Sequence, residues 1–376
     1  MNCIVAQSEL AKALKKATKA VSTRPTHPIL ACVRVTADVD RGLTVEANNL
    51  EVYIEKIVSC QVEKEGSICI PAKSLCDLVA KLDGGDALDL STTEHRLCIG
   101  TKAGEFSISG FPSEDWVDMP TESTSKFHVV DLESACKTVQ DAIAKDRPDL
   151  DGVNIRCDGS SIDFAATDGH RLHVIKQLVQ DTASSDGDLD DFNITIPESV
   201  LKLAQGDAGE TQLSFSDTHV CVRTQLTSLT GRRKSATYPD YPQLIPKKAT
   251  NTCEVDRQLL LRVVDRVGAV AADANNIMFL GKTLERKNNL VLTAKHSQGF
   301  AKEFVPAEFQ VGTNQGQSSL EDSFGLYLNS RFLSEALSSL QGELVRLEYV
   351  SKHAPFLVRT DDQICMIMPL QGRSDD

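Results

Sequence analysis

An α+β fold of three similar domains in tandem is what this sequence predicts, and three observations predict it. The first is length: 376 residues exceed what one ordinary hydrophobic core organises, so two or three domains are expected. The second is a set of four landmarks that recurs in the same order three times. The third is alternation of apolar and polar residues in stretches such as EVYIEKIV and LHVIK. That alternation marks half-buried strands in antiparallel sheets.

Each third opens on a short strand and an amphipathic helix: CIVAQSELAKALKKATKAV, FHVVDLESACKTVQDAIAKD and TCEVDRQLLLRVVDRVGAVA. Val5, Val130 and Val255 hold the same place in each, 125 residues apart. An alternating strand then ends in a small residue and a polar turn, in LTVEANNLEVYIEKIV, IDFAATDGHRLHVIKQ and LVLTAKHSQGFAKEFV, aligning Ala47, Ala166 and Ala294. A strand next leads into a second helix, in SICIPAKSLCDLVAKL, NITIPESVLKLAQ and GLYLNSRFLSEALSSL. A strand followed by proline closes each third, in FSISGFPSEDWVDMP, SATYPDYPQLIPKK and CMIMPLQ. The polar stretches TESTSK (121–126) and PKKATN (246–251) place domains at 1–122, 127–247 and 252–376. The acidic, small-residue run at 180–191 reads as a surface loop.

Composition narrows the function. Hydrophobic residues at 41% and charged residues at 25% match a soluble globular protein, and no apolar run is long enough to span a membrane. The opening MNCIVAQSELAK lacks a charged segment followed by an apolar one, which predicts a cytoplasmic protein without a secretory signal. Eleven cysteines are scattered with no close pair to begin a zinc site. They fall inside apolar patterns such as CIVA and LCIG and read as small buried hydrophobes. Neither metal nor cofactor is expected.

The formal net charge is −13, the wrong sign for bulk attraction to nucleic acid. A DNA partner would require positive charge concentrated on one surface. The first helix supplies such a surface. Leu10, Leu14, Ala17 and Val21 build an apolar stripe, and Lys12, Lys15, Lys16 and Lys19 build a basic stripe beside it, with Arg24 following. Lys73, Lys137, Arg147, Lys202 and Arg266 continue the pattern, as do Lys81, Lys145, Arg257, Arg262 and Arg331. For any one helix this is a solvated face. Repetition over all six predicted helices points to a sequence-independent track for phosphates, and the lack of interleaved aromatics favours duplex over single strands.

The stretches STRPTHPIL (22–30), AATDGHRLHVI (165–175), YPDYPQLIP (238–246) and MIMPLQ (366–371) resemble the beta subunit of bacterial DNA polymerase III, the sliding clamp. The resemblance covers essentially the whole chain. It implies the DNA clamp fold: antiparallel sheets outside and two helices per domain lining a channel around duplex DNA. It implies a head-to-tail homodimer, with Phe106 and Ile108 on an edge strand meeting the partner's third domain, and Ala269 and Val270 on the other side.

The resemblance further implies a hydrophobic cleft for short linear peptides of the DNA polymerase III alpha subunit, the clamp loader, other polymerases and repair proteins. Carried over by position, its wall is Leu150, Thr167, Gly169, His170, Arg171 and Leu172. Pro239 and Leu244 come from YPDYPQLIP, and Met366, Met368, Pro369 and Leu370 from the final strand. Methionines suit a surface that accepts several partners. Three positions depart from the family: Gln371 and Gln243 stand where basic residues are usual, and His173 where a small one is.

Two other readings compete. TDGHRLH gathers Asp168, His170 and His173, which could begin a metal or acid–base site. In a strand, however, 168 and 170 share a face and 173 lies opposite. No phosphate-cradling loop, nucleophile elbow or zinc-protease motif is present, so no enzyme is expected. The remaining rival is a three-domain peptide-binding scaffold that does not encircle DNA.

Overall fold

The computed structural model describes residues 1–119, 128–178, 191–206, 211–234, 236–249, 251–272, 275–282, 286, 288–311 and 324–370. The linker at 121–126, most of the acidic run at 180–191, Thr250, Gln371 and the GRSDD extension lie outside them. All six expected α-helices are found: α1 (Gln7–Ala17), α2 (Ala72–Val79), α3 (Leu132–Val139), α4 (Glu198–Ala204), α5 (Arg257–Ala271) and α6 (Ser330–Ser339). The chain packs as two compact units, Met1–Glu133 with Ile196–Ser235, and Ser134–Thr195 with Ala236–Asp376.

Strand pairing, rather than sequence repeat, decides that partition. In the first unit a five-stranded sheet runs Cys60–Lys64, Asn2–Ala6, Ala87–Thr93, Arg96–Gly100, Glu105–Ser109. An eight-stranded sheet runs His128–Val130, Thr211–Phe215, His219–Arg223, Thr227–Arg232, Val52–Val58, Gly42–Asn48, Cys32–Asp38, Gly66–Pro71. Its centre joins the second repeat to the first, where Thr227–Arg232 pairs antiparallel with Val52–Val58, Gly231 opposite Val52.

The second unit repeats the arrangement. A nine-stranded sheet runs Phe192–Ile196, Val153–Cys157, Ser161–Thr167, Arg171–Leu178, Gln363–Ile367, Phe356–Arg359, Leu344–Tyr349, Asn251–Asp256, Glu308–Val311. Here Gln363–Ile367 of the third repeat pairs with Arg171–Leu178 of the second, Ile367 opposite Arg171. A four-stranded sheet runs Gly299–Pro306, Asn289–His296, Ile277–Lys282, Gly325–Asn329.

The helices pack on these sheets by burying one stripe each. Along α1, Gln7, Leu10, Ala13, Leu14 and Ala17 are buried, which leaves the lysines on the other side. The apolar stripe expected to reach Val21 stops short of it. The helix tightens into a 3₁₀ turn at Thr18–Ala20, where the Thr18 hydroxyl donates to the Lys15 carbonyl at 3.2 Å, and Val21 is already extended. Buried Gln7 donates from Nε2 to the Val79 carbonyl at 2.5 Å, beside the bond that this carbonyl accepts from Leu82 N at 3.3 Å, and so ties α1 to the end of α2. The pair α5 and α6 is capped by side chains: Asp256 accepts from Leu259 N at 2.6 Å, and Asn329 accepts from Arg331 N at 3.0 Å. Arg257 donates to the Leu337 carbonyl at 2.8 Å and ties the start of α5 to the end of α6.

All eleven cysteines are free thiols, eight of them buried, in keeping with a role as small core residues. Helix α4 comes so close to the eight-stranded sheet that Gly231 has no room for a Cβ, which would overlap the Val200 side chain. Valine is stiff at χ1 and cannot swing aside cheaply. Gly231→Ala is expected to destabilise the protein by about 1–3 kcal/mol through overpacking. Urea unfolding measures it, with Gly104→Ala, whose Cβ would meet open space, as the neutral control.

Candidate functional site

The hairpin of Ser161–Thr167 and Arg171–Leu178 is closed by a turn built by its own side chains. Gly169 sits at φ +90°, a conformation that L side chains rarely adopt. Asp168 Oδ1 accepts from His170 N at 2.9 Å and from Arg171 N at 3.0 Å. Thr167 Oγ1 donates to the Arg171 carbonyl at 2.6 Å and accepts from Gly169 N at 3.1 Å. Asp168 and His170 are thus turn residues, not strand neighbours sharing a face. The glycine and the Asx geometry, both visible in TDGH, override the alternation that follows.

Beside this turn lies an apolar cluster of Leu150, Leu172, Tyr238, Tyr241, Leu357 and Met366, all buried. Tyr238 fixes its depth, because its hydroxyl accepts from Thr167 N at 2.9 Å. The final strand passes alongside and continues as a strap held at two points. Met368 N donates to the His170 carbonyl, and Leu370 N to the Tyr327 carbonyl, each at 2.8 Å. The strap leaves the Met368 side chain 38% exposed, and Leu244, next to Ile245 that packs against the cluster, is 52% exposed.

The twelve cleft residues named from sequence therefore divide by depth. Leu150, Thr167, Arg171, Leu172 and Met366 are buried and form the floor and its support. Gly169, His170, Pro239, Leu244 and Met368 are exposed, with Pro369 and Leu370 half-buried beside them. The sequence reading missed Tyr238, Tyr241 and Leu357 as floor residues. The two tyrosines were within reach, since an aromatic on each side of Pro239 in YPDYP is an unusual thing to leave in a loop. Gln243 donates from Nε2 to Asp240 at 2.6 Å, so this departure from the family is tied to its own turn.

Arg171 is the most heavily engaged side chain here, 7% exposed. Its Nε donates to Asp168 Oδ2 at 3.1 Å, and its other nitrogens donate to Glu335 on α6 and to the Asp141 carbonyl. Its guanidinium lies over the Phe332 ring, 4.3 Å from the centroid. Burial alone would raise the Glu335 carboxyl, but hydrogen bonds from Arg331 and Arg171 outweigh it and hold the group below its ordinary value.

The ten predicted phosphate-binding cations all sit at the surface, with Lys16 half-buried. Lys15, Lys19, Arg24 and Lys73 carry no ion-pair partner among the described residues. Lys12 pairs with Glu9 at 2.8 Å, Lys202 with Glu198 at 2.7 Å, Arg147 with Asp149 at 2.8 Å, and Arg266 with Glu303 at 2.6 Å. Pairs this exposed to solvent add little to stability. Lys16 lies 3.4 Å from the Gln205 carbonyl.

Each unit also has a sheet edge that bears an exposed phenylalanine. Glu105–Ser109 ends the five-stranded sheet, with Phe106 39% exposed and Ile108 half-buried. Gly299–Pro306 ends the four-stranded sheet and presents Phe300, 64% exposed, which the sequence reading missed. Ala269 is exposed on α5, whereas Val270 packs partly against the core.

Three tandem copies of one strand–helix plan, with an apolar cluster beneath an exposed strap in one compact unit and cations along the helices, define a DNA clamp of three domains. Family models for the N-terminal, central and C-terminal domains of the DNA polymerase III beta subunit match residues 1–120, 129–240 and 242–370. The chain belongs to that family, the beta sliding clamps of DNA replication. A beta sliding clamp of Synechocystis sp. is 30% identical over 383 residues, covering 95% of both chains. One from Staphylococcus aureus is 25% identical over 382 residues, covering 95% of this chain and 96% of its own. The Pseudomonas aeruginosa beta subunit superposes with a TM-score of 0.85 at 21% identity, covering 99% of this chain and all of its own. The Bacillus subtilis clamp does so with 0.86 at 20%, with the same coverage.

His173 is wholly buried, with Nδ1 3.0 Å from the Thr138 carbonyl, so that nitrogen donates and the ring is neutral. Burial pushes its pKa from 6.5 down to about 4. Between those values the unfolded chain binds a proton that the folded chain refuses, so stability present above pH 6.5 is lost as pH falls toward 4. The slope is roughly 1.4 kcal/mol per pH unit inside the window. His173→Ala, which restores a small residue, is expected to lose that part of the slope. Urea midpoints compared across the window measure it, and an equal slope in both proteins contradicts the assignment.

Proposed function

We propose that the protein is a non-catalytic DNA sliding clamp: a head-to-tail homodimer that closes around duplex DNA and tethers the replicative polymerase. The observation that carries this reading is the rule by which the repeats join. The last strand of the second repeat pairs with Val52–Val58 of the first, and that of the third with Arg171–Leu178 of the second. The rule leaves two strands over. Glu105–Ser109 closes the first repeat with one edge open, and Gly299–Pro306 is the third repeat's counterpart of Val52–Val58, also open. A second copy satisfies both edges by the same pairing. Such a heterologous contact closes into a ring when the rotation allows. Phe106 and Phe300 are the apolar residues this junction would cover, with Ile108, Ala269 and Val270 at its margins.

The ring's domains correspond to 1–122, 127–247 and 252–376, and the helical cations Lys12, Lys15, Lys16, Lys19, Arg24, Lys73, Lys137, Arg147, Lys202 and Arg266 face the phosphates. The cleft beside Met366 and Met368 takes a leucine and an aromatic from short peptides of the polymerase III alpha subunit, the clamp loader, other polymerases and repair proteins. Leu244 and Met368 would gain about 25 cal/mol for each Å² of apolar surface they cover. The protein works in the cytoplasm, without metal or cofactor.

Phe106→Asp is expected to turn a native mass of two chains into one while the single chain keeps its fold, because this side chain is partly solvated already; only the stabilisation that association itself supplies is lost. A single-chain mass for the unaltered protein that still binds peptide would leave the scaffold reading. Lys12→Glu with Lys16→Glu is expected to cut DNA-dependent polymerase stimulation several-fold while costing only a few tenths of a kcal/mol in helix stability. Unchanged stimulation would sink the channel assignment. Fluorescence titration with a leucine-and-phenylalanine peptide is expected to saturate on the full chain and to fail on a chain truncated after Pro369, which lacks the Leu370 bond to Tyr327.

A further inference from the structure

Glu335 is one carboxylate held by two guanidiniums through different oxygens. Its Oε2 accepts from buried Arg171, and its Oε1 accepts from Arg331 Nε at 2.7 Å. The two arginines live in different surroundings. Arg171 is 7% exposed and enclosed by Asp168, the Asp141 carbonyl and Phe332. Arg331 is 67% exposed and stands in the first turn of α6, where the helix dipole disfavours a cation and Glu335 is its ion-pair partner. An incoming phosphate therefore competes with Glu335 for Arg331 on easy terms.

From Glu335 the connections lead to the cleft without a break. Arg171 holds Asp168, Asp168 holds the backbone of His170 and Arg171, and the His170 carbonyl holds Met368 N at 2.8 Å. We infer that Glu335 is a positioning residue for the peptide cleft, and that a phosphate taken up by Arg331 strengthens its grip on Arg171 and thereby tightens peptide binding. The inference rests on the proposed reading of both surfaces. With Arg331 withdrawn, the Glu335 charge faces Arg171 alone. The guanidinium, the turn and the strap lose some of their freedom, and a peptide meets a site already ordered.

The test is the affinity of the leucine-and-phenylalanine peptide for the full-length protein, with and without a short linear duplex at low salt. In the unaltered protein the duplex is expected to tighten the peptide by about 5-fold, the low end of couplings between sites. Arg331→Ala leaves Glu335 to Arg171 permanently. It is expected to bind peptide as tightly as the unaltered protein does with duplex, and to gain nothing from duplex. Glu335→Gln is expected to bind about 5-fold more weakly than the unaltered protein and to ignore the duplex. A merely structural role for the pair would weaken both variants alike, and unfolding temperatures show whether either has lost its fold. Arg331→Ala binding no more tightly than the unaltered protein overturns the inference, whatever the duplex does. An unaltered protein that binds no peptide at all brings down the cleft reading and the inference with it.

Discussion

Antiparallel pairing between consecutive repeats is the constraint on which the rest of the structure depends. Each repeat donates its closing strand to the one before it, at Thr227–Arg232 with Val52–Val58 and at Gln363–Ile367 with Arg171–Leu178. The result is a pair of long sheets that no single repeat could build, and the helices have a continuous surface on which to bury their stripes. It also explains why the compact units divide the middle repeat: its strands Val153–Cys157 to Phe192–Ile196 go one way and Thr211–Phe215 to Thr227–Arg232 the other. The rule leaves two edge strands, Glu105–Ser109 and Gly299–Pro306, without the inter-repeat partner that their counterparts have. Open edges invite aggregation unless something covers them, and an edge strand bearing an exposed phenylalanine is a poor candidate for permanent solvent.

The same pairing creates the cleft. Where the closing strand meets the hairpin, the turn Asp168–His170 and the strap after Ile367 come together, and one hydrogen bond joins them. The first unit uses the same device, since Arg232 N donates to the Glu51 carbonyl at 3.0 Å. Only in the second unit is the turn then braced from behind by a buried arginine. Burying a guanidinium is costly unless all its donors are used and its charge is balanced. Here two carboxylates, a backbone carbonyl and an aromatic face meet that requirement together. The brace is specific to its geometry, because lysine could not reach several acceptors in one plane.

Much of this was legible in the chain. Six helices stand where the periodicity puts them, and EVYIEKIV and LHVIK are strands in antiparallel sheets, but not the half-buried ones expected: Leu172 to Ile175 and Val52 to Ile54 are buried on both faces. TDGH announces its turn, though alternation alone would make it strand. What sequence could not supply was depth. Nothing in the spelling separates buried Leu172 and Met366 from exposed Leu244 and Met368, because depth is set by which segments fold over them. Nor does spacing reveal that Glu335 lies against Arg171, a contact between residues 164 positions apart. Phe300 escaped for a related reason: it follows a turn in an alternating strand, and only sheet order shows that this strand has an open edge.

The charge distribution follows the same logic of surfaces rather than totals. A chain of net charge −13 is repelled by DNA at long range, yet its helices carry cations that face outward because their opposite stripes are needed in the core. Several of these cations are already paired with carboxylates on their own or a neighbouring element. A surface of shared charges holds phosphate weakly and exchanges it quickly. On the proposed reading, a protein that stays on a duplex without stopping anywhere along it needs weak and exchangeable contacts. On that reading retention comes from topology, through the edge strands Glu105–Ser109 and Gly299–Pro306. A closed ring can afford an acidic chain and a shallow electrostatic track, whereas an open scaffold relying on attraction could not.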